Sequence, residues 1–155
     1  MAKYITPTLT ITSNAYDATT NPGPTTSPVA ISVTDLLDVT EVSSKLIAVG
    51  TTDAVLFTAT DYTTGTTAGT DGAFIFLRNL TEGMATTADI YIGHNPTGSG
   101  EMEDTGDADE DRLMTLKPGE FAFFPWDLEA NLHVDASAAV DGALEAIVFV
   151  RTGTA

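Results

Sequence analysis

The sequence predicts an all-β domain, a sandwich or barrel of short strands. Three observations carry that expectation. Threonine occurs 27 times in 155 residues, and its branched side chain suits a half-exposed pleated surface. Only 6 residues are Lys or Arg against 22 Asp or Glu, so the Glu–Lys pairs that brace surface helices are scarce. Short apolar runs alternate with clusters of Gly, Pro, Asn and Asp, the punctuation of strands and turns.

The elements follow in order. Leu9 and Ile11 alternate with Thr over residues 6–12, the period of a strand with one buried face. Pro7 places that strand at an edge or at its own start. Residues 18–28 hold three Pro and one Gly and read as an extended arm. A strand is expected over 29–34. Residues 34–42 are ambiguous, because Thr34 or Asp35 could cap a short helical turn ahead of a Val- and Thr-rich stretch. Strands are expected over 45–49 and 54–60, joined at Gly50-Thr51-Thr52-Asp53. Residues 61–72 form a Thr/Gly loop. The nearly continuous apolar run 72–80 reads as a central strand. A break at Glu82-Gly83 precedes a strand over 88–93. Residues 95–111 are an acidic, Gly-rich loop. Residues 112–116 lead into Lys117-Pro118-Gly119-Glu120, a strong turn signal. An aromatic strand over 120–126, a short one over 132–136 and a last one over 143–151 complete eight to ten strands, with no internal repeat.

Composition bounds the rest. The length predicts a single domain over residues 1–155, and 43% hydrophobic residues suffice for a core. Cysteine is absent, which excludes disulfides and thiolate chemistry. No apolar run reaches the span of a membrane helix. Residues 1–12 lack the apolar stretch of a signal peptide. A formal charge of −16 disfavours nucleic acid as a partner, since phosphate would be repelled over most of the surface.

The second half has a distinctive order. An apolar strand ends in Arg78-Asn79, then come Asp89-Ile90-Tyr91-Ile92-Gly93, a polar loop, and Leu116-Lys117-Pro118-Gly119-Glu120-Phe121-Ala122-Phe123-Phe124-Pro125. Leu132-His133-Val134 and Leu144-Glu145-Ala146-Ile147-Val148-Phe149 close it. This order resembles small β-sandwich virion proteins of tailed phages, notably marine and cyanobacterial ones, over residues 73–150. Leu-x-Pro-Gly-Glu also occurs in cupins and other jelly rolls, where the turn joins two strands. A cupin-like enzyme needs a cluster of His ligands, and this chain has only His94 and His133. The resemblance therefore implies a sandwich and a structural role in the virion, assembled in the host cytoplasm, more than any chemistry.

Each candidate site has a plainer reading beside it. Residues 101–111 carry seven carboxylates, and Asp107, Asp109 and Asp111 have the spacing that opens an EF-hand loop. The loop then fails, with Arg112 where Gly is required and Pro118 where the bidentate Glu belongs. A solvated, self-repelling loop is the plainer reading, against a cation at a subunit contact or a docking loop for a basic partner. His94 and His133 read as separate, ordinary histidines. No Gly-x-Ser-x-Gly or phosphate loop is present. Asp127 and Glu129 beside Trp126 suggest a sugar platform, with exposed rim residues as the plainer reading. In the aromatic strand, alternation puts Phe121, Phe123 and Pro125 on one face and Phe124 and Trp126 on the other. One set fills the core, and a loop or a neighbouring subunit covers the other.

The reading is an all-β, jelly-roll-like sandwich with an N-terminal strand and extended arm over 1–28. It needs no cofactor, no metal and no catalytic group. The expected function is a capsid decoration or cement protein stabilising a phage head, with a neck or tail component second. A carbohydrate-binding module for host attachment comes third. Its partners would be the major capsid protein or other virion proteins and further copies of itself, a trimer first. No nucleic acid and no membrane are expected. The contact residues expected are Tyr4, Ile5, Leu9, Ile11, Pro22, Pro24, Phe124 and Trp126.

Overall fold

A computed structural model describes residues 3–12, 30–34, 37–62, 72–94 and 112–151. The strands are β1 (Lys3–Ile5), β2 (Thr8–Thr12), β3 (Ala30–Thr34), β4 (Leu37–Val49), β5 (Ala54–Phe57), β6 (Ala73–Asn79), β7 (Ile90–His94), β8 (Arg112–Leu116), β9 (Phe121–Trp126), β10 (Leu132–Ala136) and β11 (Val140–Arg151). A single 3₁₀ turn, Ala59–Asp61, follows β5. The chain divides into two compact units, Met1–Val39 and Thr40–Ala155.

In the first unit β1 pairs antiparallel with the opening of β4, Lys3 opposite Val39 and Ile5 opposite Leu37. β2 and β3 form a separate antiparallel ribbon, with Thr8 opposite Thr34 and Ile11 opposite Ile31. The hydroxyls of Thr8 and Thr34 lie 3.2 Å apart. Pro7 separates β1 from β2, because it has no N–H for a ladder. The strand expected from residue 6 therefore starts at Thr8. The helical turn weighed for residues 34–42 does not form within the described residues. Leu37–Val49 is one unbroken strand, as suits its β-branched Val39, Thr40 and Val42.

The second unit is a sandwich of two antiparallel sheets. One has the order β4-β11-β6-β9 and the other β5-β10-β7-β8. Counting eight strands from β4, these orders are 1-8-3-6 and 2-7-4-5. That is the jelly-roll arrangement, in which the chain crosses between sheets at most connections. The expected jelly-roll-like sandwich is thus the observed fold.

The core lies between the sheets. Ala73, Ile75 and Leu77 of β6 and Leu144, Ala146, Val148 and Val150 of β11 are buried on one side. Ile90, Ile92, Leu132 and Val134 answer them from the other. Each fully buried Leu, Ile or Val contributes about 1.5–3 kcal/mol. Phe57, Tyr62 and Trp126 close one end, with ring centroids 5.8–6.2 Å apart.

A buried polar knot fixes the other end. Asn79 is fully buried, and its amide donates to the carbonyls of Ala88 (2.8 Å) and Leu116 (2.9 Å). Its Oδ1 accepts from the N–H (2.9 Å) and hydroxyl (2.8 Å) of Thr81. Its backbone N–H donates to Glu120 O, and its carbonyl accepts from Gly119 N–H. Both functional groups of the amide are therefore satisfied, as burial demands. The turn at 117–120 is closed by Glu120 N–H to Lys117 O (2.9 Å) and by Lys117 N–H to the Glu120 carboxylate (2.8 Å). Gly119 has φ +83°, and a Cβ there would run into the Glu82 carboxylate. Only glycine suits that turn. Asn79 and Leu116-Lys117-Pro118-Gly119-Glu120, which carry the sequence resemblance, are thus one hydrogen-bonded structural device.

Candidate functional site

The site begins with a parity problem. Strands β6, β9 and β11 are apolar on both faces, so burial on one side leaves an apolar face on the other. The register decides which is which. Ala73, Ile75 and Leu77 lie opposite Trp126, Phe124 and Ala122. The small Ala73 makes room for Trp126, and this set faces the second sheet. Phe74, Phe76 and Arg78 lie opposite Pro125, Phe123 and Phe121 on the outer face. β11 continues the rows with Phe149, Ile147 and Glu145.

This corrects the expected contact face. Trp126 is only 6% exposed, and its indole N–H donates to Ala130 O (3.0 Å). Phe124 packs against the core. Among the described residues, the aromatic side chains left in solvent are Phe121, 61% exposed, and Phe123, 39% exposed. Phe123 stacks on Phe74 at 5.3 Å and meets Phe149 edge-on at 6.3 Å. Phe121 stacks on Phe76 at 6.2 Å. The guanidinium of Arg151 lies 5.4 Å from the Phe74 ring centroid, within cation–π range. The result is a continuous aromatic sheet face, bordered by Glu145 and Arg78 at one end and Arg151 at the other. On β4 of the same sheet, Leu46 and Val42 are also exposed, and alternation sets Leu46 opposite in direction to Ile47 and Val49.

A sequence signal for this orientation existed. Arg78 shares the parity of Phe74 and Phe76, and Glu145 and Arg151 share the parity of Ile147 and Phe149. Charged residues avoid an unpaired interior, so they mark the outward faces of β6 and β11, and pairing carries the mark to β9.

The outer face of the second sheet is different. His133 Nδ1 is 2.8 Å from Asp53 Oδ2, with both side chains almost fully buried. The Arg112 guanidinium sits 3.9 Å from the Tyr91 ring centroid. Lys117 Nζ reaches Asp89 Oδ2 at 2.5 Å, and this hydrogen bond with the carboxylate's charge raises the Lys117 pKa above its ordinary 10.5. His94 lies opposite Leu132, while His133 lies opposite Gly93. The two histidines therefore point to opposite faces of the sheet, as separate residues. Among the described residues, Asp53 Oδ1 and His94 Nδ1 are buried without a hydrogen-bond partner. No group of three His, Cys, Asp or Glu placed to hold a metal occurs among them.

A cleft of about 230 Å³ lies beside His94, Leu113, Phe124, Trp126, Asp127 and Leu132. It does not supply the open Trp126 platform that a sugar-binding reading requires, because the indole is packed inside. Asp127 and Glu129 are exposed, and Asp127 Oδ1 accepts from Glu129 N–H (3.1 Å). They brace a turn in which Leu128, at φ 64°, is held in the left-handed region, a strained position for leucine.

Of the other expected contact residues, Leu9 is 50% exposed and Ile5 is half-buried. Tyr4 and Ile11 are placed by their backbones alone. Pro22, Pro24, Asp107, Asp109 and Asp111 lie outside the described residues. No helix among the described residues is long and apolar enough to cross a membrane.

No family model and no curated protein matches the chain. A solved structure from work on Bacillus endospore appendages, described as a family of disulfide-linked pili, is similar at 12% identity and a TM-score of 0.45. The likeness covers 99% of this chain and 92% of that one. The present chain has no cysteine.

Proposed function

We propose that this chain is a non-enzymatic structural protein that works by protein–protein contact, and specifically a decoration or cement protein on the head of a tailed phage. One observation carries the reading. The outer face of the β4-β11-β6-β9 sheet keeps an aromatic surface in water, with Phe121 at 61% and Phe123 at 39% exposure. An exposed aromatic patch with a charged rim has the make-up of a protein interface. The jelly roll, and the resemblance of residues 73–150 to virion sandwiches, favour a particle as the setting. Fold alone does not fix function, so the surface bears most of the weight. A net charge of −16 helps keep the free protein in solution and suits a basic surface on the major capsid protein.

The test is made on the particle. Mass spectrometry of purified virions is expected to find the chain in many copies, and image reconstruction to find it on the capsid exterior. Heads lacking it are expected to release DNA at lower temperature, with recovery on adding the purified protein. Density confined to the neck or tail would move the protein there. Absence from the particle would overturn the reading.

A further inference from the structure

We infer that the aromatic face of the β4-β11-β6-β9 sheet is a two-fold interface with a second copy of this chain. The inference deepens the proposed function and rests on it for the reason a contact face exists. Two features of the face point to the chain itself as its occupant.

The first ground is charge. The outward row of β11 reads Glu145, Ile147, Phe149, Arg151, an acid, two apolar residues and a base. Reversed, this row complements itself. Consider a two-fold axis between two stacked sheets, crossing the strands at the Val148–Ile75–Phe124 row, which the register aligns. Each strand then lies antiparallel over its own copy. Glu145 faces Arg151 of the second copy, and the reciprocal pair forms at the other end. Ile147 meets Phe149, Phe74 meets Phe76, and Phe123 meets Pro125. Arg78 falls over Gly72, beside which the Arg151 side chain of the second copy lies, so Glu145 and Arg78 together flank that guanidinium. Symmetric interfaces require such self-complementarity, since every contact occurs twice. Within β6, β9 and β11 the charged residues are Arg78, Arg151, Asp141 and Glu145, two of each sign, although the chain carries 22 acids and 6 bases. This face therefore brings two acidic molecules together at low electrostatic cost.

The second ground is area. Phe121 and Phe123 between them expose about one whole phenylalanine, roughly 200 Å². Leu46 and Val42, at 66% and 47% exposure, and the half-buried Phe74, Phe76, Ile147 and Phe149 extend the patch to roughly 500 Å². Two copies would bury about 1,000 Å², the lower bound for a specific interface. Aligned sheets pack about 10 Å apart, a gap that interdigitated phenylalanines fill.

Sedimentation of the full chain over a concentration series tests this. The wild type is expected at twice the chain mass. Phe123→Glu is expected to give monomer. Glu145→Arg and Arg151→Glu each set like charges together twice per dimer, and each is expected to weaken association about tenfold or more. The double variant restores opposite charges and is expected to recover wild-type association to within a few-fold. Circular dichroism checks that each variant folds, and the charge exchange keeps the test decisive if Phe123→Glu does not. A wild-type monomer at high concentration, a trimer indifferent to these changes, or a double variant as weak as the singles would each overturn the inference. A monomeric chain found on phage heads would defeat this inference alone. A dimer absent from every virion would defeat only the proposed function.

Discussion

The outer faces of the two sheets solve the same problem in opposite ways. On the β5-β10-β7-β8 sheet, polar side chains pair with one another: Asp53 with His133 and Asp89 with Lys117. Arg112 covers the Tyr91 ring. On the β4-β11-β6-β9 sheet the side chains are Phe74, Phe76, Phe121, Phe123 and Phe149, which stack on one another and still leave apolar surface in water. One face pairs its polar groups within its own chain and leaves Val55 as a half-exposed apolar side chain. The other reaches full burial only against something else. Burying aromatic area stabilises contact whatever the partner, whereas the polar face would lose its water for little gain.

That contrast can be broken by substitutions on either side of one strand. Leu77→Ala, on the inner side of β6, removes a fully buried side chain and is expected to cost about 3–4 kcal/mol in chemical unfolding. Asn79→Leu removes the amide's bonds to the carbonyls of Ala88 and Leu116 and to the N–H of Thr81, leaving Ala88 only the longer bond from the Thr81 hydroxyl. It is expected to cost about 2–3 kcal/mol, with the loss concentrated in hydrogen-exchange protection around the 117–120 turn. Phe123→Ser, on the outer side, is expected to change the stability of the separated chain by about 1 kcal/mol or less while abolishing self-association. A stability loss for Phe123→Ser as large as that for Leu77→Ala would mean that the aromatic face is core to its own chain.

The smallest effect lies on the polar face. The Asp89 partner raises the folded-state pKa of Lys117, so the ammonium is favoured by folding. Its contribution is complete below the unfolded value of 10.5 and disappears as pH rises through the higher folded value. A melting series is expected to show this small alkaline loss in the wild type and not in Asp89→Asn. The Lys117 side chain is exposed, so solvent and salt screen the effect.

Much of this fold was legible in the sequence, and the reasons for the exceptions are physical. The strand at 112–116, the Pro118-Gly119 turn and the strand at 132–136 announced themselves by local chemistry. The long β4 did not, because a cap-like Thr34-Asp35 competes locally with pairing to β1 and β11, which are distant in sequence. Alternation sorted the aromatics of β9 into their two faces but did not say which was inner. That information lay in β6 and β11, in the parity of Arg78, Glu145 and Arg151. Nothing local foretold that Asn79 would meet Leu116 or that Asp53 would meet His133, since those contacts exist only after the sheets have packed.

Hydroxyl-radical footprinting of the assembled and the dispersed protein reads out whether the aromatic face is covered. Phe121 and Phe123 are expected to oxidise readily in the dispersed chain and to be protected on assembly, while Trp126 is protected in both. Equal oxidation of Phe121 and Phe123 in the two states would mean that the aromatic face stays open and is not an interface.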